Sequence, residues 1–188
     1  RAIDAPIDLV GHDWGAGHVA GLVAANPDLA RSWAIDIAGI VHPDYVWHEA
    51  AQLWQTPEVG EQVIDSMVST PLVDRAALFV GLGMDEATAA EMAGAVDETM
   101  GRCILALYRG AAQPYLRELG DRLAATTRPP MLVLNATADP YVSASLGTAV
   151  AERLGATLAL LDGQSHWWML DDPAPAADAL VRFWSMLS

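Results

Sequence analysis

Short apolar runs alternate with helical patterns at the start of the chain. Residues 7–10 form an apolar run that ends at Gly11, and a helical spacing of apolar residues follows over 16–26. A second apolar run covers 33–40. A strand, a tight turn, a helix and a second strand in this order are typical of the βαβ unit of a parallel sheet.

The same alternation returns at the end of the chain. Residues 131–135 have the apolar composition of a buried strand, and a helical pattern over 142–154 is closed by Gly155. A further strand over 156–161 and an amphipathic helix over 174–187 complete the pattern. The two ends of the chain therefore predict one parallel sheet with helices on both faces.

The middle of the chain has a different pattern. Residues 41–128 are rich in Ala, Glu, Gln, Met and Leu and are interrupted by Pro and Gly, which predicts several short helices, one of them over 85–100. We therefore predict an α/β core formed by residues 1–40 and 129–188, with a helical segment inserted at 41–128.

Composition narrows the range of partners. The chain has 188 residues, is 53% hydrophobic and carries a net charge of −14. So acidic a surface repels nucleic acid and anionic membranes, and no apolar run approaches the roughly 18 residues of a membrane span. We see no secretory leader pattern, and the single cysteine, Cys103, excludes an internal disulfide. We expect a cytoplasmic protein in which Cys103 packs in the core.

The turn between the first strand and the first helix is Gly11-His12-Asp13-Trp14-Gly15. This spacing is typical of a nucleophile elbow, where glycines on either side of the nucleophile avoid a clash with neighbouring backbone. The N-terminus of the helix favours an ionised carboxylate, and the backbone N–H of Trp14 is placed to stabilise an oxyanion. The alternative is that Asp13 only caps the helix.

An aspartate at this position selects the chemistry. A carboxylate is a good nucleophile for displacement at an sp³ carbon, and the product is an alkyl-enzyme ester. Water must then attack the carbonyl of that ester, and this step needs a general base.

His166 and Asp139 are the candidates for the base and for the acid that orients it. Each follows a predicted strand, where the active sites of parallel sheets form. Asp139 would fix the tautomer of the imidazole, although an Asp-Pro turn is an alternative role. The chain order Asp13, Asp139, His166 is the order expected for nucleophile, acid and base. We expect His12, beside the nucleophile, to point away from it as a structural residue.

Three segments carry a resemblance to a known family: 8–15 (DLVGHDWG), 138–142 (ADPYV) and 165–173 (SHWWMLDDP). The chain resembles the α/β-hydrolase family that contains epoxide hydrolases and haloalkane dehalogenases. The resemblance implies that Asp13 is the nucleophile, and it gives His166 and Asp139 the roles of base and acid. It also implies that the insert is a helical cap over the site.

The cap residues point first to epoxide hydrolysis. Epoxide hydrolases use cap tyrosines to protonate the opening epoxide, and Tyr108 resembles the second of these. The position of the first falls near Ala50, so Tyr45 would have to substitute for it. The leading hypothesis is the opening of a small, largely apolar epoxide to a diol, without a cofactor or a metal ion.

Two alternatives remain open. Haloalkane dehalogenases hold the halide with two N–H donors, for which Trp14 and Trp54 are candidates. The family also has strands and an oxyanion loop ahead of the elbow, so we expect a missing N-terminal segment that completes the fold. Without that segment the chain could be an inactive fragment or a binding protein on the same scaffold. The sequence is compatible with a homodimer.

Overall fold

A computed structural model of the chain describes Ala5 and residues 7–187. The strands are β1 (Ile7–Gly11), β2 (Ala30–Ile35), β3 (Met131–Ala136) and β4 (Thr157–Leu161). The helices are α1 (Trp14–Ala25), α2 (Glu49–Gln55), α3 (Val59–Ser69), α4 (Leu72–Gly81), α5 (Glu86–Ala95), α6 (Glu98–Gly110), α7 (Tyr115–Ala125), α8 (Ala144–Leu154), α9 (Trp168–Asp171) and α10 (Ala174–Ser185). Two short 3-10 helices cover Pro27–Leu29 and Ala38–Val41.

The chain forms two compact units, of which the first holds the sheet. This unit comprises the residues up to Val46 and those from Pro114 onward. Its described strands are all parallel and lie in the order β1-β2-β3-β4. β3 is buried along its whole length, as expected of a parallel strand covered on both faces. The predicted α/β architecture is confirmed.

Helices cover both faces of the sheet. On one face, alternate β3 residues pack with α10 in a cluster that includes Leu132, Leu134 and Phe183. On the other face, the Asn135 side chain donates to the carbonyl of Ala144 in α8 at 2.8 Å. Neighbouring strand residues therefore bury against different helices, which is why β3 has no exposed face.

The second apolar run of the sequence is shorter as a strand than predicted. We expected a strand over 33–40, but β2 ends at Ile35 and residues Ala38–Val41 form a 3-10 helix. This helix packs on α8 so closely that a Cβ on Gly39 would lie 3.1 Å from the backbone nitrogen of Gly147. The apolar residues after Ile35 are buried by a helix and not by strand pairing, a difference that hydrophobicity does not reveal.

The second unit, Trp47–Gln113, is formed by α2 to α6. The single helix predicted over 85–100 is two helices, because Asp97 caps α6 by accepting the Met100 N–H at 2.7 Å. Cys103 is exposed on α6, so the prediction that it packs in the core is wrong. The buried position of α6 is Gly101.

This second unit is shorter than the predicted insert, because α7 packs in the first unit. The buried positions of α7 include Leu116, Leu119 and Leu123. A Cβ on Gly120 would lie 2.2 Å from the carbonyl oxygen of Val41, so only glycine allows this close approach. Within the described residues, no helix is long and apolar enough to cross a membrane.

Candidate active site

The turn at Asp13 joins β1 to α1 in a rare backbone conformation. Asp13 has φ 49° and ψ −122°, and a positive φ is uncommon for a residue other than glycine. The turn is held by backbone bonds, from Gly15 N–H to the His12 carbonyl at 2.8 Å and from Ala16 N–H to the Asp13 carbonyl at 2.9 Å. Within the described chain, the Asp13 side chain makes no capping hydrogen bond to α1. The capping alternative is therefore not observed, and the carboxylate is 42% exposed.

The two glycines of the turn have different steric roles. A Cβ on Gly11 would lie 2.4 Å from the carbonyl oxygen of Gly15, whereas a Cβ on Gly15 would meet nothing within 4 Å. The sequence-based expectation that both glycines avoid a clash is therefore correct for Gly11 and wrong for Gly15.

A matched pair of alanine variants tests this steric difference. We expect Gly11→Ala to lower the free energy of unfolding by at least about 2 kcal/mol, because backbone must move to admit the methyl group. Gly15→Ala should be neutral or stabilising by up to about 1 kcal/mol, since Gly15 lies in the first turn of a helix. Urea unfolding of both variants measures the difference, and equal destabilisation would contradict the steric assignment.

His166 and Asp139 form a buried pair in the same unit. The Nδ1 atom of His166 lies 2.8 Å from Asp139 Oδ2, and both side chains are almost fully buried. Asp139 Oδ1 accepts the N–H groups of Tyr141 at 2.7 Å and Val142 at 3.1 Å. One carboxylate oxygen therefore holds the turn while the other contacts the imidazole, so the turn does not prevent the contact with His166.

The other nitrogen of the imidazole faces Asp13. His166 Nε2 lies 4.0 Å from Asp13 Oδ1, which is too far for a direct hydrogen bond. The imidazole is oriented through Nδ1, so Nε2 remains the nitrogen for an exchange of protons. This arrangement can place a water molecule or a reacting group beside both Asp13 and Nε2 of His166.

Charge favours the protonated imidazole in this environment. Burial of His166 opposes its charged form, but its hydrogen bond to Asp139 and the negative charges of Asp139, Asp13 and Asp36 raise its pKa overall. The pKa of Asp139 is lowered, because its bonds to His166 and to the backbone of Tyr141 and Val142 outweigh the effect of burial. The site therefore stabilises an imidazolium that forms when His166 accepts a proton.

Sequence reasoning missed two residues of this site. Asp36 follows β2 directly and accepts the backbone N–H of Asp13 at 3.2 Å. It was missed because the strand was predicted to run over 33–40, which placed Asp36 inside the strand and not just after it. Tyr141 packs its ring edge-on against His166, with the ring centroids 4.9 Å apart. Burial, followed by the charges of Asp139 and Asp13, raises the pKa of Tyr141. Tyr141 could have been found from the sequence, because it directly follows the pair Asp139-Pro140, and Asp139 was already a candidate.

His12 has a structural contact and also lies close to His166. Its Nδ1 contacts the carboxylate of Asp36, which supports the structural role that we expected. Its ring centroid is nevertheless 4.9 Å from that of His166, and 6.0 Å from that of Trp167. His12 therefore forms part of the surroundings of His166.

The predicted cap residues Tyr108 and Trp54 pack together in the second unit. Their ring centroids are 4.7 Å apart, and Trp47 lies 5.2 Å from Tyr108. The Nε1 atom of Trp54 is buried and has no hydrogen-bond partner among the described residues. His48 caps α2 by accepting the Ala51 N–H at 3.3 Å. The substrate-binding roles of Tyr108 and Trp54 stay predictions.

The remaining predicted binding residues lie in the first unit. Trp14 is the first residue of α1, and its ring centroid is 6.5 Å from that of His18. Tyr45 is buried, with 4% exposure, just after the 3-10 helix that follows β2. Their roles toward a substrate also stay predictions. No group of three or more potential metal ligands occurs in the part of the chain that the structure describes.

A parallel sheet with a strained strand-to-helix turn at Asp13, and with a carboxylate and a histidine after later strands, is the arrangement expected of an α/β-hydrolase. Comparison with protein families agrees, since the model of the alpha/beta hydrolase family matches residues 1–179. The chain belongs to this family. No curated protein is similar enough to this chain to count as a match.

Solved structures share the fold at low sequence identity. A thermophilic esterase from Thermogutta terrifontis has a TM-score of 0.70 and 15% identity, over 97% of this chain and 66% of its own. An E-2-(acetamidomethylene)succinate hydrolase has a TM-score of 0.66 and 17% identity, over 97% and 68%. A serine hydrolase from Cycloclasticus zankles has a TM-score of 0.61 and 18% identity, over 94% and 64%. This chain thus spans about two thirds of the length of these proteins.

Proposed function

We propose that the protein hydrolyses small, largely apolar epoxides to diols through an alkyl ester on Asp13. The observation that carries this proposal is the position of the Asp13 carboxylate, exposed on a strained turn and 4.0 Å from Nε2 of a histidine that Asp139 orients. A carboxylate presented in this way is suited to displacement at an sp³ carbon. The family membership supports a hydrolase, and the nucleophile defines the subtype that we propose.

The first half of the reaction forms the ester. Asp13 attacks one ring carbon of the epoxide, the carbon–oxygen bond breaks, and Tyr108 gives its phenolic proton to the released oxygen. No water enters at this stage, and the substrate stays bound to Asp13 through one of the carboxylate oxygens.

The second half breaks the ester with water. His166 Nε2 accepts a proton from water as the hydroxide adds to the carbonyl carbon of the Asp13 ester. Asp139 stabilises the resulting imidazolium, which then protonates the departing alkoxide to give the diol. The carboxyl group left on Asp13 returns its proton to the phenolate of Tyr108. One oxygen of Asp13 now comes from water.

A single turnover in heavy-oxygen water tests the ester. We expect one heavy oxygen in the peptide that contains Asp13 and none in the diol, because water attacks the enzyme carbonyl and not the substrate carbon. The peptide and the diol are analysed by mass spectrometry after mixing excess protein with an epoxide. Label in the diol and none at Asp13 would show direct attack by water and reject the ester.

A second candidate function is the hydrolysis of haloalkanes with the same three residues. The observation that favours it is the buried Nε1 of Trp54, which lacks a hydrogen-bond partner within the described residues. An indole N–H of this kind is a suitable donor to a halide that leaves from the substrate.

Two variants separate the candidate functions. If the substrate is an epoxide, Tyr108→Phe should lower kcat by about 100-fold, because general acid catalysis is lost, and Trp54→Phe should change it little. If the substrate is a haloalkane, the order of the two effects is reversed. Steady-state kinetics with an epoxide and with a haloalkane of similar size measure both effects. The epoxide function requires turnover of the epoxide with the larger loss in Tyr108→Phe, and the haloalkane function requires turnover of the haloalkane with the larger loss in Trp54→Phe.

A further inference from the structure

Asp36 is a buried carboxylate that the proposed reaction does not use. It lies directly after β2, and its side chain is 4% exposed. Burial of a carboxylate is costly unless hydrogen bonds satisfy its oxygens. The bonds of Asp36 therefore indicate what the fold gains by keeping it there.

The carboxylate of Asp36 contacts four donor groups from three segments. Its Oδ1 accepts the backbone N–H of Asp13 at 3.2 Å and that of Ile37 at 2.7 Å. Its Oδ2 contacts Nδ1 of His12 and accepts the indole N–H of Trp168 at 3.0 Å. Four partners satisfy the carboxylate fully, and only the Ile37 bond is local to Asp36.

The other three partners connect the nucleophile turn to the segment of the base. His12 and Asp13 belong to the turn, and Trp168 begins the short helix α9 just after His166. The turn gains from an external hold in addition to its own backbone bonds, because Asp13 has a positive φ and its side chain makes no cap within the described residues. A bond to its backbone N–H supplies that hold without engaging the carboxylate of Asp13.

We propose that Asp36 is a positioning residue that fastens the Asp13 turn to the segment carrying His166, and thereby sets the separation of nucleophile and base. This inference rests on the proposed function for its effect on turnover, but its effects on the turn and on His166 do not depend on the substrate. Displacement of catalytic groups by a fraction of an ångström lowers rates substantially.

The charge of Asp36 has a second effect, because it acts on the same histidine. The groups around His166 are the carboxylates Asp139, Asp13 and Asp36, together with the ring of His12 and the phenol of Tyr141. Removing the charge of Asp36 should therefore lower the pKa of His166. That change would weaken the imidazolium which forms during hydrolysis of the ester.

Three variants test the proposal. Asp36→Asn removes the charge and places an amide N–H₂ among donors, whereas Trp168→Phe removes one link and keeps the charge. Asp28→Asn, at an exposed aspartate, is the matched control. For Asp36→Asn we expect kcat to fall by about 100-fold with ester accumulating on Asp13, and KM to fall with it, because hydrolysis slows more than formation. Trp168→Phe should lower kcat by about 10-fold and leave the pKa of His166 unchanged.

Nuclear magnetic resonance gives a readout without turnover. In Asp36→Asn the backbone amide of Asp13 should shift and the titration of His166 should move to lower pH, whereas the control should show neither change. If both signals match the control, the proposal is overturned, whatever the substrate is. If both change as expected and no epoxide is consumed by the unmodified protein, the epoxide function fails and the positioning role stands. If Asp36→Asn does not fold, an unshifted Asp13 amide in Trp168→Phe overturns the proposal.

Discussion

Replacing His166 with glutamine should leave the protein trapped as an alkyl ester on Asp13. In the reaction that we propose, the first step needs only the carboxylate and a proton donor, whereas hydrolysis of the ester needs a base at Nε2. We expect turnover to fall by about 10³-fold or more, in the upper part of the range for loss of a general base. Intact-mass spectrometry after addition of an epoxide should show a gain equal to the mass of the substrate.

The position of the adduct decides between explanations. Peptide analysis should place the added mass on Asp13, and a protein that carries both His166→Gln and Asp13→Ala should gain none. His18→Gln, at an exposed histidine of α1, is the matched control and should accumulate no adduct. An adduct on another side chain, or normal turnover by His166→Gln, would remove His166 from the role of base.

Asp139→Asn should lower kcat by about 10²- to 10⁴-fold and also move its dependence on pH. The loss of rate follows because an amide no longer fixes the tautomer of His166 or stabilises the imidazolium. The shift follows from the pKa of His166, which the bond to Asp139 and its charge raise. The base works only when neutral, so kcat of the unmodified protein should rise with pH through a value above the usual imidazole pKa of about 6.5.

The sign of the pH shift is specific to the removed charge. Without the bond and the charge of Asp139, less opposes the effect of burial, so the pKa of His166 falls from its raised value and the rising limb of the profile should move to lower pH. Asp162→Asn, at an exposed acid just after β4, should leave the limb in place. A profile of Asp139→Asn with the limb unchanged or moved to higher pH would show that Asp139 does not control the protonation of His166.

The sequence predicted the parallel sheet and the grouping of Asp13, Asp139 and His166 for a simple physical reason. Each of these residues follows a strand, and the ends of parallel strands meet at one edge of the sheet. Asp36 obeys the same rule, but it was missed because the buried 3-10 helix after it is as apolar as a strand. The pattern of apolar residues therefore predicted that a strand exists here but not the residue at which it ends.

The sequence pattern did not predict how the helices pack against one another. Cys103 lies in an apolar run but on the exposed side of α6. Which side of a helix is buried depends on the helices that pack against it. The contact between the rings of Tyr108 and Trp54 joins two helices far apart in sequence. These two residues were selected from the resemblance to a family, and the spacing of apolar residues does not predict that their rings are in contact.

The turn at Asp13 has a consequence for the versatility of this scaffold. Its strained geometry is held by bonds of the backbone and by Asp36, and the carboxylate of Asp13 takes no part in holding it. The bonds that hold the turn therefore do not require a carboxylate at this position. If Asp13 is the nucleophile, as we propose, a serine at this position would present a hydroxyl, which is a nucleophile for acyl transfer, from the same turn.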